Sequence, residues 1–177
     1  LKMPPGDLPV TIAQVAKDFG ITESCLTNWL ARADRDDGIK PGPTSAALAE
    51  NRRAIEETAA LAAAGAEGSA AVLVLVAGGL PATDTDLRGA RERAQDAIGA
   101  LVDDAAAAGV TLAIEPMHPM YAADRGVIST LRQALDIAAP FPALTVGVVI
   151  DAFHVWWDPE VFDQIARAGV ERRIASY

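Results

Sequence analysis

The sequence predicts an α/β fold built on a parallel sheet and preceded by a small all-α segment, and three observations predict it. First, short apolar runs (Val72–Val76, Thr111–Ile114 and Thr145–Ile150) recur between alanine-rich stretches of helical length. Strands that are apolar throughout, rather than alternating, belong in a parallel sheet covered on both faces. Second, composition changes near residue 50, after the turn-rich stretch 36–43 with its Gly and Pro residues. Third, two of the strands run straight into an acid and then a histidine, as Glu115-x-x-His118 and Asp151-x-x-His154, and these are the only two histidines of the chain. Functional groups of a parallel sheet gather at the C-terminal ends of its strands.

The elements follow in order. Thr11 and Gln14 form a capping box that starts a helix over about Ile12–Phe19. Gly20 and Ile21 make a tight turn, and Thr22 caps a second helix to about Ala33, with Cys25, Leu26, Trp29 and Leu30 expected on its buried stripe. Two helices joined by so short a turn read as a helix-turn-helix. Residues 1–50 are therefore expected to be a helix-turn-helix segment with its linker, and residues 51–177 the α/β domain.

In the second part a helix from Asn51 to about Ala64 precedes the strand Val72–Val76. A long helix over Asp86–Ala108 ends at Gly109, suited to the left-handed position that closes helices, before the strand Thr111–Ile114. A helix over Gly126–Ala139 stops at Pro140, and the strand Thr145–Ile150 follows. Asp158 and Pro159 open a helix to about Ala168, leaving Arg172–Ser176 as the last strand.

Composition narrows the chemistry. With 177 residues, 51% hydrophobic and 22% charged, the chain can bury a core. The longest apolar run, Ala70–Ala77, is too short to cross a bilayer and no secretion signal opens the chain, so a cytoplasmic protein without membrane contact is expected. A single cysteine, Cys25, allows no internal disulfide. The net charge of −9 opposes a chain that is basic overall for nucleic acid. Residues 51–177 hold no lysine for a Schiff base, no cysteine nucleophile and no phosphate loop. Carboxylates and histidines are the chemistry left. The first residue, Leu1, suggests an excerpt of a longer chain.

Neighbouring strands lie ~4.8 Å apart, so Glu115 and Asp151 at equivalent strand ends can reach one cation. Two carboxylates plus imidazole favour a divalent ion, with manganese, magnesium or cobalt ahead of zinc. Each residue also has a structural alternative. Glu115 could cap a helix or pair with a cation, His118 could be a loop histidine on a backbone bond, and His154 could pack in a core beside Trp156 and Trp157.

Two resemblances add to this reading. The stretch from Thr11 to Asp37, carried by residues 19–30, resembles the N-terminal module of insertion-sequence transposases. It implies duplex DNA as a partner of residues 11–33, through Ser24, Thr27, Asn28 and Arg32 on the second helix, with Glu23 beside them. Residues 51–177 resemble the middle of a sugar phosphate isomerase/epimerase of the xylose-isomerase-like TIM barrel superfamily. Residues 74–79, 114–121, 123–125 and 151–158 carry that match. It implies a partial (β/α)8 barrel, metal binding by Glu115 and Asp151, and a substrate oxygen contact from His154, with His118 and Trp156 as further substrate contacts. Glu115 and His154 are then the implied catalytic pair, Glu115 shuttling a proton next to a carbonyl of a sugar or similar hydroxy-carbonyl substrate.

This sequence departs from the superfamily pattern. It supplies roughly the third to the sixth of eight strands, and two of four expected metal ligands, so an isomerase/epimerase-like protein that is catalytically incomplete as this chain is expected. An open sheet also leaves two unpaired edges, which self-association could cover. The alternative is a DNA-binding protein whose partial barrel is non-catalytic or senses a sugar; transposition itself ranks third. An endonuclease of the same superfamily would need more histidines than two.

Overall fold

The computed structural model describes residues 11–38, 40, 42–65, 68, 70–80, 84–122 and 125–177. Ile39 and Pro41 of the expected linker, and Ala123 and Asp124 of the 123–125 stretch, lie outside them. The chain divides into two compact units, Leu1–Ala46 and Ala47–Tyr177.

In the first unit α1 (Ile12–Asp18) and α2 (Glu23–Asp36) pack on each other. Both start at the threonine the sequence predicts: the Thr11 hydroxyl accepts from the Gln14 amide and the Thr22 hydroxyl from the Cys25 amide, each at 3.2 Å, but the Gln14 side chain donates forward to Asp18 at 2.8 Å instead of completing the capping box. The expected buried stripe of α2 is not formed. Trp29 and Leu30 are exposed, Cys25 and Leu26 are only half-buried, and Ala16 of α1 is the one fully buried residue of the pair. Two short helices have too little facing surface to cover two large side chains.

The second unit holds four parallel strands in sequence order: β1 (Ala71–Leu75), β2 (Val110–Ile114), β3 (Val146–Val149) and β4 (Ile174–Ser176). Helices between them are α3 (Ser45–Ala64), which begins at the end of the first unit, α4 (Leu87–Gly99), α5 (Val102–Ala108), α6 (Leu131–Ala138), the short α7 (Ala152–Val155) and α8 (Val161–Val170). This is an α/β half-barrel, the partial TIM barrel that the sequence predicts. The middle strands are buried almost throughout, while the edge strands β1 and β4 are partly exposed.

The core lies between the sheet and its helices: Leu112, Ile114, Val146 and Val148 meet Ile55 of α3, Ile98 of α4, and Leu131, Ala134 and Leu135 of α6. Spacing by three and four residues puts the α6 side chains on one stripe, and burying each Leu or Ile there stabilises the fold by roughly 1.5–3 kcal/mol. Arg173 is buried, its guanidinium donating to the carbonyls of Val146 and Phe141 at 2.8 Å and of Ala139 at 3.3 Å. It ties the end of α6 to the start of β3.

Several element boundaries differ from expectation. α3 starts at Ser45, six residues before the expected Asn51, and α2 runs on to Asp36 rather than about Ala33. The long helix breaks between Gly99 and Val102 into α4 and α5, where the buried Leu101 turns into the core. Residues 126–130 are not helical, because Val127 donates to the Gly78 carbonyl (3.0 Å) and Ile128 accepts from the Met117 amide (2.9 Å); these long-range bonds outcompete a helical turn. The last strand starts at Ile174, since Arg172 has φ 57° and the Arg173 amide still bonds to α8 through the Ala168 carbonyl at 2.9 Å.

Candidate active site

Glu115 is the first residue beyond β2. Its amide donates to the Leu75 carbonyl of β1 (3.0 Å), so the sheet fixes its backbone. Asp151 stands two residues beyond β3, after Ile150, whose amide donates to the Ser176 carbonyl of β4 (3.0 Å). Ile114 and Val148 are register partners on β2 and β3, so the two acids emerge at the same end of adjacent strands. Asp151 then caps α7, its Oδ1 accepting from the Phe153 amide at 2.8 Å, and that single turn brings His154 back over the strand ends.

Glu115, Asp151 and His154 are all half-buried, and one ligand atom from each lies within 4.8 Å of the other two. Two metal–ligand bonds of roughly 2.1 Å place their outer atoms up to roughly 4.2 Å apart. Side-chain adjustments of a few tenths of an ångström therefore suffice to close the two carboxylates on one divalent ion beside His154. No cation of the protein pairs with either carboxylate among the described residues, and the Glu115 carboxylate takes no hydrogen bond there. Neither the capping nor the salt-bridge alternative for Glu115 is formed.

The two histidines are linked. The His118 amide donates to Nδ1 of His154 at 3.2 Å, and the Met120 amide donates to Nδ1 of His118 at 3.2 Å. An accepting Nδ1 carries no proton, so each neutral ring presents its N–H at Nε2. The His118 ring stacks 6.1 Å from Trp156 and meets Trp157 edge-on at 6.0 Å. Trp157 is anchored by its indole N–H, which donates to the His154 carbonyl at 2.9 Å.

Tyr121 and Phe153 were not singled out by sequence reasoning, and Trp157 entered it only as a packing neighbour of His154. Tyr121 and Phe153 meet the His154 ring edge-on, at 5.8 and 5.1 Å. Arg125 lies with its guanidinium carbon 5.4 Å over the Tyr121 ring. Their signal was present: aromatic residues in the loops that follow the two acid-bearing strands. Trp156 and Phe153 are largely exposed at the rim. The four residues singled out for DNA, Ser24, Thr27, Asn28 and Arg32, are exposed on α2, where the Thr27 hydroxyl donates back to the Glu23 carbonyl at 2.8 Å. No helix among the described residues is long and apolar enough to cross a membrane.

Comparison with solved structures places this geometry. Protein SMc04130 from Sinorhizobium meliloti 1021 is 39% identical with a TM-score of 0.67, over 94% of this chain and 66% of that one. The 3-keto-D-glucoside 4-epimerase YcjR from E. coli, in its apo form, is 21% identical with a TM-score of 0.52, over 71% of this chain and 48% of that one, a likeness of fold. The chain thus spans just under two thirds of the first relative and about half of the second. No match is found among curated proteins. A family model described as xylose isomerase-like TIM barrel matches residues 3–175, running through the segment that resembles a transposase module as well as through the sheet. Sheet, strand-end acids and this match agree, and the chain belongs to the xylose isomerase-like TIM barrel family.

Proposed function

We propose that the protein binds a divalent metal ion and a sugar or similar hydroxy-carbonyl compound, in an isomerase/epimerase-like site built for proton transfer next to a carbonyl. The observation that carries this reading is the convergence of Glu115, Asp151 and His154 within 4.8 Å at the ends of β2 and β3.

In this reading Glu115 and Asp151 hold the ion, with manganese, magnesium or cobalt preferred to zinc because the donors are hard oxygens. When bound, such an ion stabilises negative charge developing on a substrate oxygen. Glu115 accepts the proton from the carbon beside the carbonyl and returns it to the neighbouring carbon. His154 directs its Nε2–H at the substrate oxygen. A histidine that ligates a metal commonly donates its other ring N–H to an acceptor, whereas Nδ1 of His154 itself accepts from the His118 amide. That hydrogen bond supports a substrate contact for His154 rather than a place in the coordination sphere. Trp156 and His118 offer a stacked face for the apolar side of a sugar ring.

The sequence supplies two of the four metal ligands that the resemblance implies, so binding rather than turnover is the expected activity of these 177 residues. The test is calorimetric titration of manganese into the wild type and the Glu115→Ala/Asp151→Ala double variant, after gel filtration has shown both to be unaggregated. Binding that the double variant lacks supports the reading; equal binding by the two, or none by folded wild type, ends it. Gel filtration also reads self-association through the edges of β1 and β4.

A second reading gives the first unit a DNA-binding role. It draws on the exposed Ser24, Thr27, Asn28 and Arg32, spaced along one face of α2. Salt-sensitive binding of duplex DNA that Asn28→Ala or Arg32→Ala weakens would support it; no gel shift at low salt would dismiss it.

A further inference from the structure

We infer that the second unit holds a separate binding site on the helix side of its sheet, for a compact apolar molecule the size of one aromatic ring with a single hydrogen-bonding end. A cavity of about 180 Å³ lies there, between α4 and the end of β1. Its floor is core: Ile98, Leu101, Ile114 and Ile128 line it and are buried. Leu75 and Ile114, register partners on β1 and β2, both line it and both pack in the hydrophobic core under the helices. None of Glu115, Asp151 and His154 lines it, so this site does not depend on the metal and sugar reading above.

Two alanines leave the space open. Positions 94, 97, 98 and 101 have the spacing of one helical stripe, which α4 and the turn after it turn toward the sheet. Ile98 and Leu101 fill their part of it, while Ala94 and Ala97 each bring a single methyl group to the cavity. Packed interiors hold few gaps larger than a water molecule. This one is several times the roughly 30 Å³ that a water occupies in the liquid, and an apolar cavity of roughly 150 Å³ stays dry and takes benzene or xenon. Volume and lining together therefore select one ring or a short branched chain.

The mouth adds a direction. Asn51 of α3 is the one residue of the lining with a hydrogen-bonding side chain, and it is exposed, as is Val76 beside the end of β1. Among the described residues the Asn51 side-chain amide makes no hydrogen bond. It can donate to or accept from a hydroxyl held at the opening. No charged side chain lines the cavity, so an ionic ligand finds no partner in it.

The test is titration of benzene and of phenol into the protein, followed by NMR of methyl-labelled leucine and isoleucine. A ring in the cavity is expected to shift the methyl signals of Leu75, Ile98, Leu101, Ile114 and Ile128 saturably, and to leave those of the exposed Leu61 and Leu144 in place. Phenol should bind about fivefold tighter than benzene, the worth of one hydrogen bond, and Asn51→Ala should remove that difference. Ala97→Leu fills the cavity and should weaken both ligands about tenfold or more; Ala94→Leu does so from one turn earlier, and reads the site if Ala97→Leu does not fold. The Glu115→Ala/Asp151→Ala variant should bind both ligands as the wild type does, whatever manganese does. The proposal is overturned by folded wild type without saturable shifts of these methyls, by undiminished binding in a folded filled variant, or by loss of binding in the double variant. A phenol preference that is absent, or that survives Asn51→Ala, overturns it equally.

Discussion

The amide of His118 and the imidazole of His154 are joined by a hydrogen bond of 3.2 Å, which couples the loop after β2 to the helix after β3. The bond turns Nδ1 of His154 to the loop, and it makes the two motifs one unit although 36 residues separate the partners. His154→Asn places an oxygen near the position of Nδ1 and preserves the acceptor; His154→Ala removes it. We expect His154→Ala to be about 1 kcal/mol less stable than His154→Asn in urea denaturation, the value of one hydrogen bond, with manganese affinity similar in the two. Equal stability of the variants would show that the loop does not depend on this bond.

Asp151 has two tasks in one carboxylate, a charge toward the acid cluster and a cap on the Phe153 amide. Asp151→Asn keeps the cap and removes the charge, since asparagine caps as well as aspartate. It is expected to weaken manganese binding about tenfold or more while changing the melting temperature little, whereas Asp151→Ala costs about 1 kcal/mol of stability in addition. Calorimetry and thermal melts of the two variants separate the roles.

Gly147 sits where β3 crosses closest to β4. A Cβ there would lie 2.7 Å from the Arg173 carbonyl oxygen and 3.0 Å from Cβ of Ala175, and backbone cannot swing aside as a side chain can. Gly147→Ala should therefore destabilise the protein by about 1–3 kcal/mol through overpacking, measured by chemical denaturation. A cost near zero would mean that β4 is free to move off the sheet.

At the start of α3, Oδ1 of Asp36 accepts from the Ser45 amide at 2.6 Å, and this bond holds the Asp36 carboxyl below its ordinary value of 3.8. A folded-state value below the unfolded one means the contribution is complete above about pH 4 and is lost as pH falls through the lowered value. The Ser45 amide proton, followed by NMR during acidification, should shift with a midpoint below 3.8. A midpoint at or above that value would show the bond absent in solution.

Much of this was legible from the chain because the signals were local. The three apolar runs became strands β1 to β3 within a residue or two, since a valine-rich run between helices has one favourable place, and Thr11, Thr22 and Gly109 mark helix ends where side chain or backbone freedom dictates them. The convergence of Glu115, Asp151 and His154 was legible for the same reason, each being tied to a strand end. What escaped depended on distant partners. Gly126 to Thr130 carry a helical pattern, yet Val127 and Ile128 bond to Gly78 and Met117 instead. The exposure of Trp29 escaped as well, because an amphipathic stripe states which face is apolar and not whether anything in the unit is large enough to cover it.

The parallel bridge between Gly78 and Gly126 has a consequence for anyone who redesigns this protein. It divides the excursion after β2 into a part that can be rewritten and a part that cannot. At Pro119 and Met120, both exposed at the start of a short 3₁₀ turn and ahead of Tyr121, the chain can accept a peptide tag or a recognition loop from another protein. From Gly126 to Ile128 it is clamped and buried, so a single inserted residue would shift every later contact of the excursion out of phase. Library diversity aimed at new ligands therefore belongs on the first part, with the second left as its hinge post.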